Sequence, residues 1–126
     1  MHSATVNWTR YAESALVAGT AAKKGTASNG VTAITGTSDK PAGIATDSKS
    51  AADAAGTGDP SVALTVFGPS VGLAGGTVVP GDSLQVAADG RLVAKSAAGW
   101  VVGEAKTGGA IGEYIEILVN IRKEPA

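Results

Sequence analysis

The chain has 126 residues, 18 of them glycine, with no cysteine, one histidine and a formal charge of -1. The length fits one domain. Without cysteine, and with its histidine at position 2, the chain offers no ligand set for structural zinc or iron–sulfur clusters and no thiol nucleophile. Its first ten residues lack the apolar core of a signal peptide, and no stretch approaches the roughly 18 apolar residues that span a bilayer. We therefore expect a soluble protein with no membrane partner.

Charge gives no indication of a nucleic-acid partner. The ten basic residues are divided equally between residues 1–60 and 61–126, and the two halves carry five and six acids. A nucleic-acid binder usually concentrates its cations in one stretch or patch. The sequence predicts no nucleic-acid partner and no cofactor.

Residues 1–14 are predicted to form an N-terminal arm. Two of the five aromatic residues, Trp8 and Tyr11, fall here, in a segment too poor in apolar residues to form its own core. Large aromatic side chains are favoured anchors at interfaces. We expect the arm to order against another protein through Trp8, Arg10 and Tyr11; the alternative is that it folds back onto its own domain.

Large apolar residues are unevenly distributed over the two halves. Val, Ile, Leu and Phe total 26, of which six precede residue 61, while the chain holds 24 Ala. Ordering a residue costs roughly 1–2 kcal/mol of backbone entropy, which so few large side chains cannot offset. The first half is therefore expected to depend on the second half or on a partner, within one domain spanning residues 15–126.

The elements are predicted mainly as short strands. Residues 12–18 permit at most one helical turn, and residues 48–58, rich in Ala, Asp, Ser and Gly, indicate a loop. Alternating apolar residues indicate strands at 62–67 and 114–121, and shorter candidates lie at 77–79, 84–87, 92–95 and 100–105, with turns at 80–82 and 89–90. The predicted fold is mainly β, a small antiparallel sandwich or barrel with little helix. Trp100 and Tyr114 begin strands and are predicted core or subunit-interface residues.

A degenerate internal repeat relates residues 15–68 to residues 72–121. At an offset of 60, residues 29–33 align with 89–93 and residues 43–45 with 103–105. Residues 19–22 are aligned with 76–79, and the strand at 62–66 with that at 115–119. The pattern predicts two copies of one β-unit. Chance similarity in a sequence rich in Gly, Ala and Thr is the alternative.

Catalytic motifs are scarce. The acids Asp39, Asp47, Asp53 and Asp59 lie in a Gly-, Ser- and Ala-rich region with no spacing that fixes a pair on one element. Residues 72–76 lack the Gly-Lys-Ser/Thr ending of a phosphate loop and are predicted to be a turn. These features predict a protein that is not an enzyme.

Lys40 supports one alternative function. Residues 38–42 resemble the Asp-Lys-Ala hairpin of lipoyl and biotinyl carrier domains, which are also twofold-repeated β-barrels. The resemblance implies that Lys40 would be the acylated lysine. Pro41 stands where those domains have Ala.

A second resemblance covers residues 15–121. The Gly-Asp turns and the strand motifs around them resemble those of the capsid decoration, or cement, proteins of tailed bacteriophages; the motifs lie at 41–45, 61–68, 74–84, 89–93, 102–105 and 112–117. The resemblance implies a small β-rich protein, often trimeric, that binds the outside of an expanded head and clamps its subunits. It implies no catalytic residue.

The leading hypothesis is therefore a structural virion protein that binds the major capsid protein on the outer capsid surface as a homotrimer. Three alternatives remain: a carrier domain modified on Lys40, a small β-barrel module that binds a ligand or carbohydrate, and another virion component such as a tail or fibre subunit. Aromatic residues that could line a carbohydrate groove are few.

Overall fold

The structure, a computed structural model, describes residues 5–125 and is built from strands, which hold 50% of residues against 3% in helix. This confirms the predicted mainly β class. The elements are β1 (Val6–Ala12), β2 (Ala21–Lys24), β3 (Gly30–Ala33), β4 (Gly43–Ala45), α1 (Ala51–Ala54), β5 (Ser61–Leu73), β6 (Ser83–Val86), β7 (Leu92–Ala94), β8 (Gly99–Ala105) and β9 (Tyr114–Glu124).

The first five strands close into a barrel. The order β1-β3-β2-β4-β5 returns to its start because β1 also pairs with β5 along six register positions, from Val6 with Phe67 to Tyr11 with Ser61. The β1–β3 pairing is parallel and the others are antiparallel. Closure shortens the open strand edges of this first barrel, which reduces the sites for unwanted strand pairing.

Strand β5 belongs to a second barrel as well. Its later residues, Phe67 to Leu73, pair with β9, and the order continues through β8 and β6 to β7. A parallel bridge between Ala74 and Leu92 then brings β7 back beside the end of β5. The two barrels are therefore joined through one shared strand of 13 residues.

Backbone pairing shows the internal repeat directly. Leu16 exchanges both backbone hydrogen bonds with Lys49, and Val78 does the same with Gly109, at offsets close to the predicted 60 residues. In the first unit β2 pairs with both β3 and β4. In the second unit β6 pairs in the same way with both β7 and β8. One detail of the sequence alignment was wrong. Gly19 precedes β2 by two residues as Gly81 precedes β6, so Gly19 matches Gly81 rather than Gly76.

The two barrels have cores of different composition. Seven buried residues fill the first, and three of them are alanine: Ala12, Leu16, Ala22, Val31, Ala45, Val62 and Leu64. The second core is larger and richer in Leu, Ile and Val, and it includes Ile34 and Ile44 from the first half. The first barrel thus adds two of its few large side chains to the core of its neighbour.

Several local predictions are confirmed and others are wrong. Strands at 62–67, 84–87, 92–95, 100–105 and 114–121 are present as β5 to β9. Residues 77–79 form an isolated bridge at Val78 rather than a strand. Residues 12–18 contain no helix, which agrees with the limit of at most one helical turn: β1 runs to Ala12 and Leu16 bridges Lys49.

Residues 48–58 are not simply a loop. They contain α1, a single turn whose first backbone groups are satisfied by a capping box: the Ser50 hydroxyl accepts from the Asp53 N–H, and the Asp53 carboxylate accepts from the Ser50 N–H. This reciprocal pair satisfies donors that a helix start otherwise leaves open. The turn lies between the two strands β4 and β5.

Strand β5 extends beyond its predicted end through Gly68 and Pro69. From Pro69 onward it is flanked by β9, whereas its β1 partner ends opposite Phe67. A proline is compatible with a strand that lacks a partner on one side. Gly72 and Leu73, predicted as part of a turn, are the last residues of this strand.

The predicted arm, residues 1–14, includes β1. At Tyr11 this strand lies between β5 and β3 on the sheet of its own chain, since Tyr11 pairs with both Ser61 and Gly30. The first four residues of the arm and Ala126 lie outside the described residues. A role of this segment at a partner surface stays a prediction, and it concerns the side chains that β1 leaves exposed.

Candidate functional site

The carboxylates of the loops act as acceptors for backbone turns. Asp39 accepts hydrogen bonds from the N–H groups of Thr35 and Gly36 and from Lys23, and these hold the pKa of Asp39 down to about 2. The Thr26 and Ala27 N–H groups likewise lower the pKa of Glu13. A general acid at neutral pH needs a raised pKa instead. Between residues 5 and 125, no cluster of three His, Asp or Glu could hold a metal ion.

Trp8 and Arg10 lie together at the mouth of the first barrel. They face Leu64 and Val62 across the β1–β5 ladder, on the same side as the buried Ala12. The Arg10 guanidinium stands 4.8 Å from the centroid of the Trp8 ring, within cation–π distance. Trp8 is 52% exposed. The arrangement leaves an aromatic ring and a cation at the rim of an apolar opening.

This opening is a cavity of about 220 Å³. Its lining is mostly apolar, and the apolar residues are Val31, Ala42, Leu64 and Val66 beside Trp8. Arg10 and Lys24 stand among the polar residues of the lining. Such a cavity suits one apolar side chain, since pockets for drug-sized ligands measure roughly 300–1,000 Å³.

Tyr11 is separated from Trp8 and Arg10. It pairs with Ser61, and because successive strand residues point to opposite sides, its side chain lies on the other face of β1. The three predicted arm residues therefore do not form one site. Tyr11 is as exposed as Trp8, so it is available to a different surface.

Lys40 and Trp100 form a second aromatic–cation contact. The Lys40 ammonium lies 4.9 Å from the centroid of the Trp100 ring, and that of Lys123 lies 5.9 Å from it. Lys40 follows a turn between β3 and β4 and precedes the buried Pro41. A prosthetic group on Lys40, as in the carrier alternative, would have to displace this contact.

A groove of about 570 Å³ connects the two contacts. Trp8, Lys23, Lys24, Lys40 and Ile121 are among the residues that line it. We call the whole surface the Trp–Lys face; its members are Trp8, Arg10, Lys23, Lys24, Lys40, Trp100 and Lys123. Sequence reasoning identified Trp8, Arg10, Lys40 and Trp100 separately and missed the other three lysines, which sheet pairing brings in from distant parts of the chain.

The Trp–Lys face concentrates positive charge that the sequence spreads evenly. It holds five of the ten basic residues, and two of its lysines lie near acids, Lys23 beside Asp39 and Lys24 near Glu13. The rest of the chain keeps five basic and nine acidic residues. A protein with a formal charge of -1 is thus strongly polarised, with about +3 on this face and about -4 elsewhere.

A second exposed surface runs along the outer side of β5. Its apolar residues are Phe67, Pro69 and Val71, with Val6 opposite Phe67 and Tyr114 at the start of β9. Phe67, Val71 and Tyr114 are at least half exposed. We call these five residues the outer ridge. Pro69, Val71 and Tyr114 line a shared cavity of about 330 Å³, and none of the ridge residues lines the Trp8 cavity or its groove.

The two predicted subunit-interface residues therefore occupy different surfaces. Tyr114 lies on the outer ridge and Trp100 on the Trp–Lys face. Neither enters the core, because Tyr114 is 58% exposed and Trp100 is partly exposed. The strand that each begins is as predicted, but the side chains face outward.

Comparison with known proteins places the fold of this chain beside that of a solved structure. No family model and no curated protein matches the chain. Among solved structures, the chain is similar to the head fiber gp8.5 N base of bacteriophage phi29, with a TM-score of 0.70 and 18% sequence identity. The match covers 93% of this chain and 95% of that chain. At this identity it establishes a shared fold, which includes both barrels because nearly the whole of each chain is aligned.

Among the described residues, no helix is long and apolar enough to cross a membrane.

Proposed function

We propose that this protein is a non-enzymatic structural component of a bacteriophage head. The observation that carries the proposal is the match over nearly the full length of both chains to the base of a phage head fiber. The sequence resemblance to phage decoration proteins also points to the phage head. The loop carboxylates, which serve as acceptors for backbone turns, fit a role in architecture.

The finer proposal is that the protein binds the major capsid protein on the outer surface of the head and stabilises the capsid. Two exposed surfaces support it, because a lone chain gains nothing from leaving large apolar side chains in water. We assign the Trp–Lys face, with Trp8 and Arg10, to the capsid, together with the exposed Tyr11. Trp100 is reassigned to this capsid-facing surface because it lies in the Trp–Lys face.

We assign the outer ridge to contacts between subunits of a homotrimer. Phe67, Val71 and Tyr114 form a row of exposed apolar side chains on paired strands, a rigid support for a repeated contact. A partner that binds the folded form adds to its stability by mass action, which would compensate for the small, alanine-rich core of the first barrel.

Co-sedimentation with purified mature phage heads tests the function. We expect the protein to pellet with heads and to raise the temperature at which they release their DNA. A protein that stays in the supernatant with heads of its own phage would overturn the proposal.

Light scattering after size exclusion tests the trimer. The double variant Phe67→Ser/Val71→Ser should be monomeric, and the matched control Val79→Ser, also exposed but outside the ridge, should keep the wild-type mass. A wild-type chain that is monomeric both free and on the head would refute the assignment of the ridge.

A further inference from the structure

We infer that the Trp–Lys face binds an acidic, extended protein segment, which inserts one apolar side chain into the Trp8 cavity and places carboxylates against the surrounding lysines. The inference deepens the proposed function by naming the chemistry of the partner, and it rests on that function only for the biological setting. Its physical basis is the joint presence of an apolar opening and a ring of cations.

The apolar part of the surface determines which side chain of the partner segment is inserted. The Trp8 cavity is walled by Val31, Ala42, Leu64 and Val66 and measures about 220 Å³. An aliphatic or aromatic side chain would fill it and cover the exposed Trp8 ring, at a gain of roughly 25 cal/mol per Å² of apolar surface removed from water. A sugar–phosphate chain has no equivalent group to offer.

The charged part of the surface determines which residues flank that side chain in the partner segment. Lys24 and Lys40 are exposed and line the groove that leads away from the cavity. Lys40 and Lys123 both stand over Trp100, at the far end of the surface. Two acids beside these lysines already accept local hydrogen bonds: Asp39 from Lys23 and the 35–36 backbone, Glu13 from Thr26 and Ala27. Lys23 is paired with Asp39, so carboxylates from a partner would meet mainly the exposed ammonium groups of Lys24 and Lys40 along the groove.

The same geometry disfavours nucleic acid. Binders of single strands stack bases on open aromatic faces. Here each indole ring has a cation above one face, Arg10 at 4.8 Å from Trp8 and Lys40 at 4.9 Å from Trp100. The cavity between the cations is apolar rather than a basic track. A peptide with acidic and apolar residues matches both halves of this surface.

Tryptophan fluorescence can read this face directly, because both tryptophans of the chain belong to it. The probe is a blocked five-residue peptide with a central leucine and two glutamates on each side; the control peptide has glutamines in their place. We expect saturable quenching or a blue shift with the acidic peptide, none with the control peptide, and loss of binding at 1 M salt, where the Debye length falls to about 3 Å.

Matched variants locate the site. Lys24→Gln/Lys40→Gln should weaken peptide binding by about ten-fold or more, since each lost charge pair in water is worth about 1 kcal/mol at 4 Å. Lys49→Gln/Lys106→Gln removes the same charge outside the face and should change affinity less than about two-fold. Trp8→Phe should leave Trp100 as the reporter, so that the two ends of the face are followed separately.

Three outcomes would overturn the inference. Equal weakening by both double variants would indicate attraction to net charge alone. Tight binding of oligo(dT) without peptide binding would identify nucleic acid, and salt-sensitive self-association lost in Lys24→Gln/Lys40→Gln would identify a second copy of this chain. Because the peptide assay uses no heads, failure to bind heads with intact peptide binding would refute the proposed function and leave this inference standing.

Discussion

The backbone N–H of Gly19 donates to the carbonyl of Ala45 at 2.9 Å. The same bond recurs from Gly81 to Ala105 at 2.8 Å, at the equivalent place in the second repeat unit. Both glycines have positive φ, +86° and +93°, a region that costs other residues roughly 1–2 kcal/mol. The turns that lead into β2 and into β6 thus both require glycine.

The two glycines should differ when replaced. Gly81→Ala should lower the free energy of unfolding by about 1–2 kcal/mol, because a Cβ there meets no atom within 4 Å and pays only the conformational term. Gly19→Ala should cost more, since its Cβ would lie 3.0 Å from both the Leu73 nitrogen and Tyr114 Cε1. Urea unfolding measures both, with Gly36→Ala, which has ordinary φ and open space, as the control. Equal losses at positions 19 and 81 would contradict the crowding argument.

The core of the second barrel predicts coupling between Gly72 and Leu92. A Cβ at Gly72 would lie 2.5 Å from Leu92 Cδ1, so Gly72→Ala should cost about 1–3 kcal/mol by overpacking. Leu92→Ala removes a fully buried side chain and should cost about 2–5 kcal/mol. The double variant should be more stable than the sum predicts, by about 0.5–3 kcal/mol, because the new methyl group occupies space that the leucine vacates.

A double-mutant cycle in urea provides the measurement. The pair Leu92→Ala and Gly36→Ala serves as the control and should be additive, since Gly36 has no atom near its Cβ position. Additivity in the Gly72 pair would show that the barrel wall shifts rather than resists.

Asp39 predicts an acid-dependent loss of stability. Hydrogen bonds from the Thr35 N–H and from Lys23 lower the pKa of Asp39 from 3.8 to about 2. A group whose pKa is lowered in the folded state stabilises that state above its unfolded pKa, and the contribution is lost as pH falls through the folded pKa. The melting temperature should therefore fall between pH about 4 and pH about 2, in addition to the effects of Glu13, Asp53 and Asp59.

Asp39→Asn should flatten this dependence in part. The variant should be less stable than wild type at pH 7 and approach it near pH 2, where the native carboxylate is also becoming neutral. Thermal melts from pH 2 to 7 measure the difference. A constant gap between the two proteins over the whole range would show that the charge of Asp39 is not what stabilises the loop.

Strand β1 allows the arm hypothesis to be separated from a purely structural role. Deleting residues 1–11 removes nearly all of a strand that pairs with both β3 and β5, so the first barrel should open and the melting temperature should fall strongly. Trp8→Ser, at a half-exposed position, should change stability little while impairing partner binding. If the deletion leaves the melting temperature unchanged, β1 detaches at little cost and behaves as an arm.

The second half of the fold was predictable from sequence because its strands alternate large and polar residues. Ile115, Ile117 and Val119 are buried on one side of β9, as the pattern indicated. The first half escaped prediction because alanine occupies core positions such as Ala12, Ala22 and Ala45. A narrow closed barrel needs only small side chains inside, and alanine carries no periodic hydrophobic signal.

The candidate site was predictable only in pieces. Trp8 and Arg10 lie together because residues two apart share a strand face. Trp8 and Tyr11 are three residues apart, so in a strand their side chains point to opposite faces. This could be inferred from the sequence only once β1 is known to be a strand. Joining Trp8 to Lys40 and Trp100 required the sheet order, which depends on long-range pairing that no local pattern encodes.

Sharing β5 between the barrels has a mechanical consequence. Two domains joined by a linker can move apart. Here β1 and β9 pair with the same continuous strand, β5, at its beginning and at its end. A force applied along β5 would act parallel to the strands. The hydrogen bonds that join β5 to its neighbours would then have to break together rather than one after another. A subunit fixed at one barrel would then transmit tension to the other as a stiff strut, with β5 as the element under load.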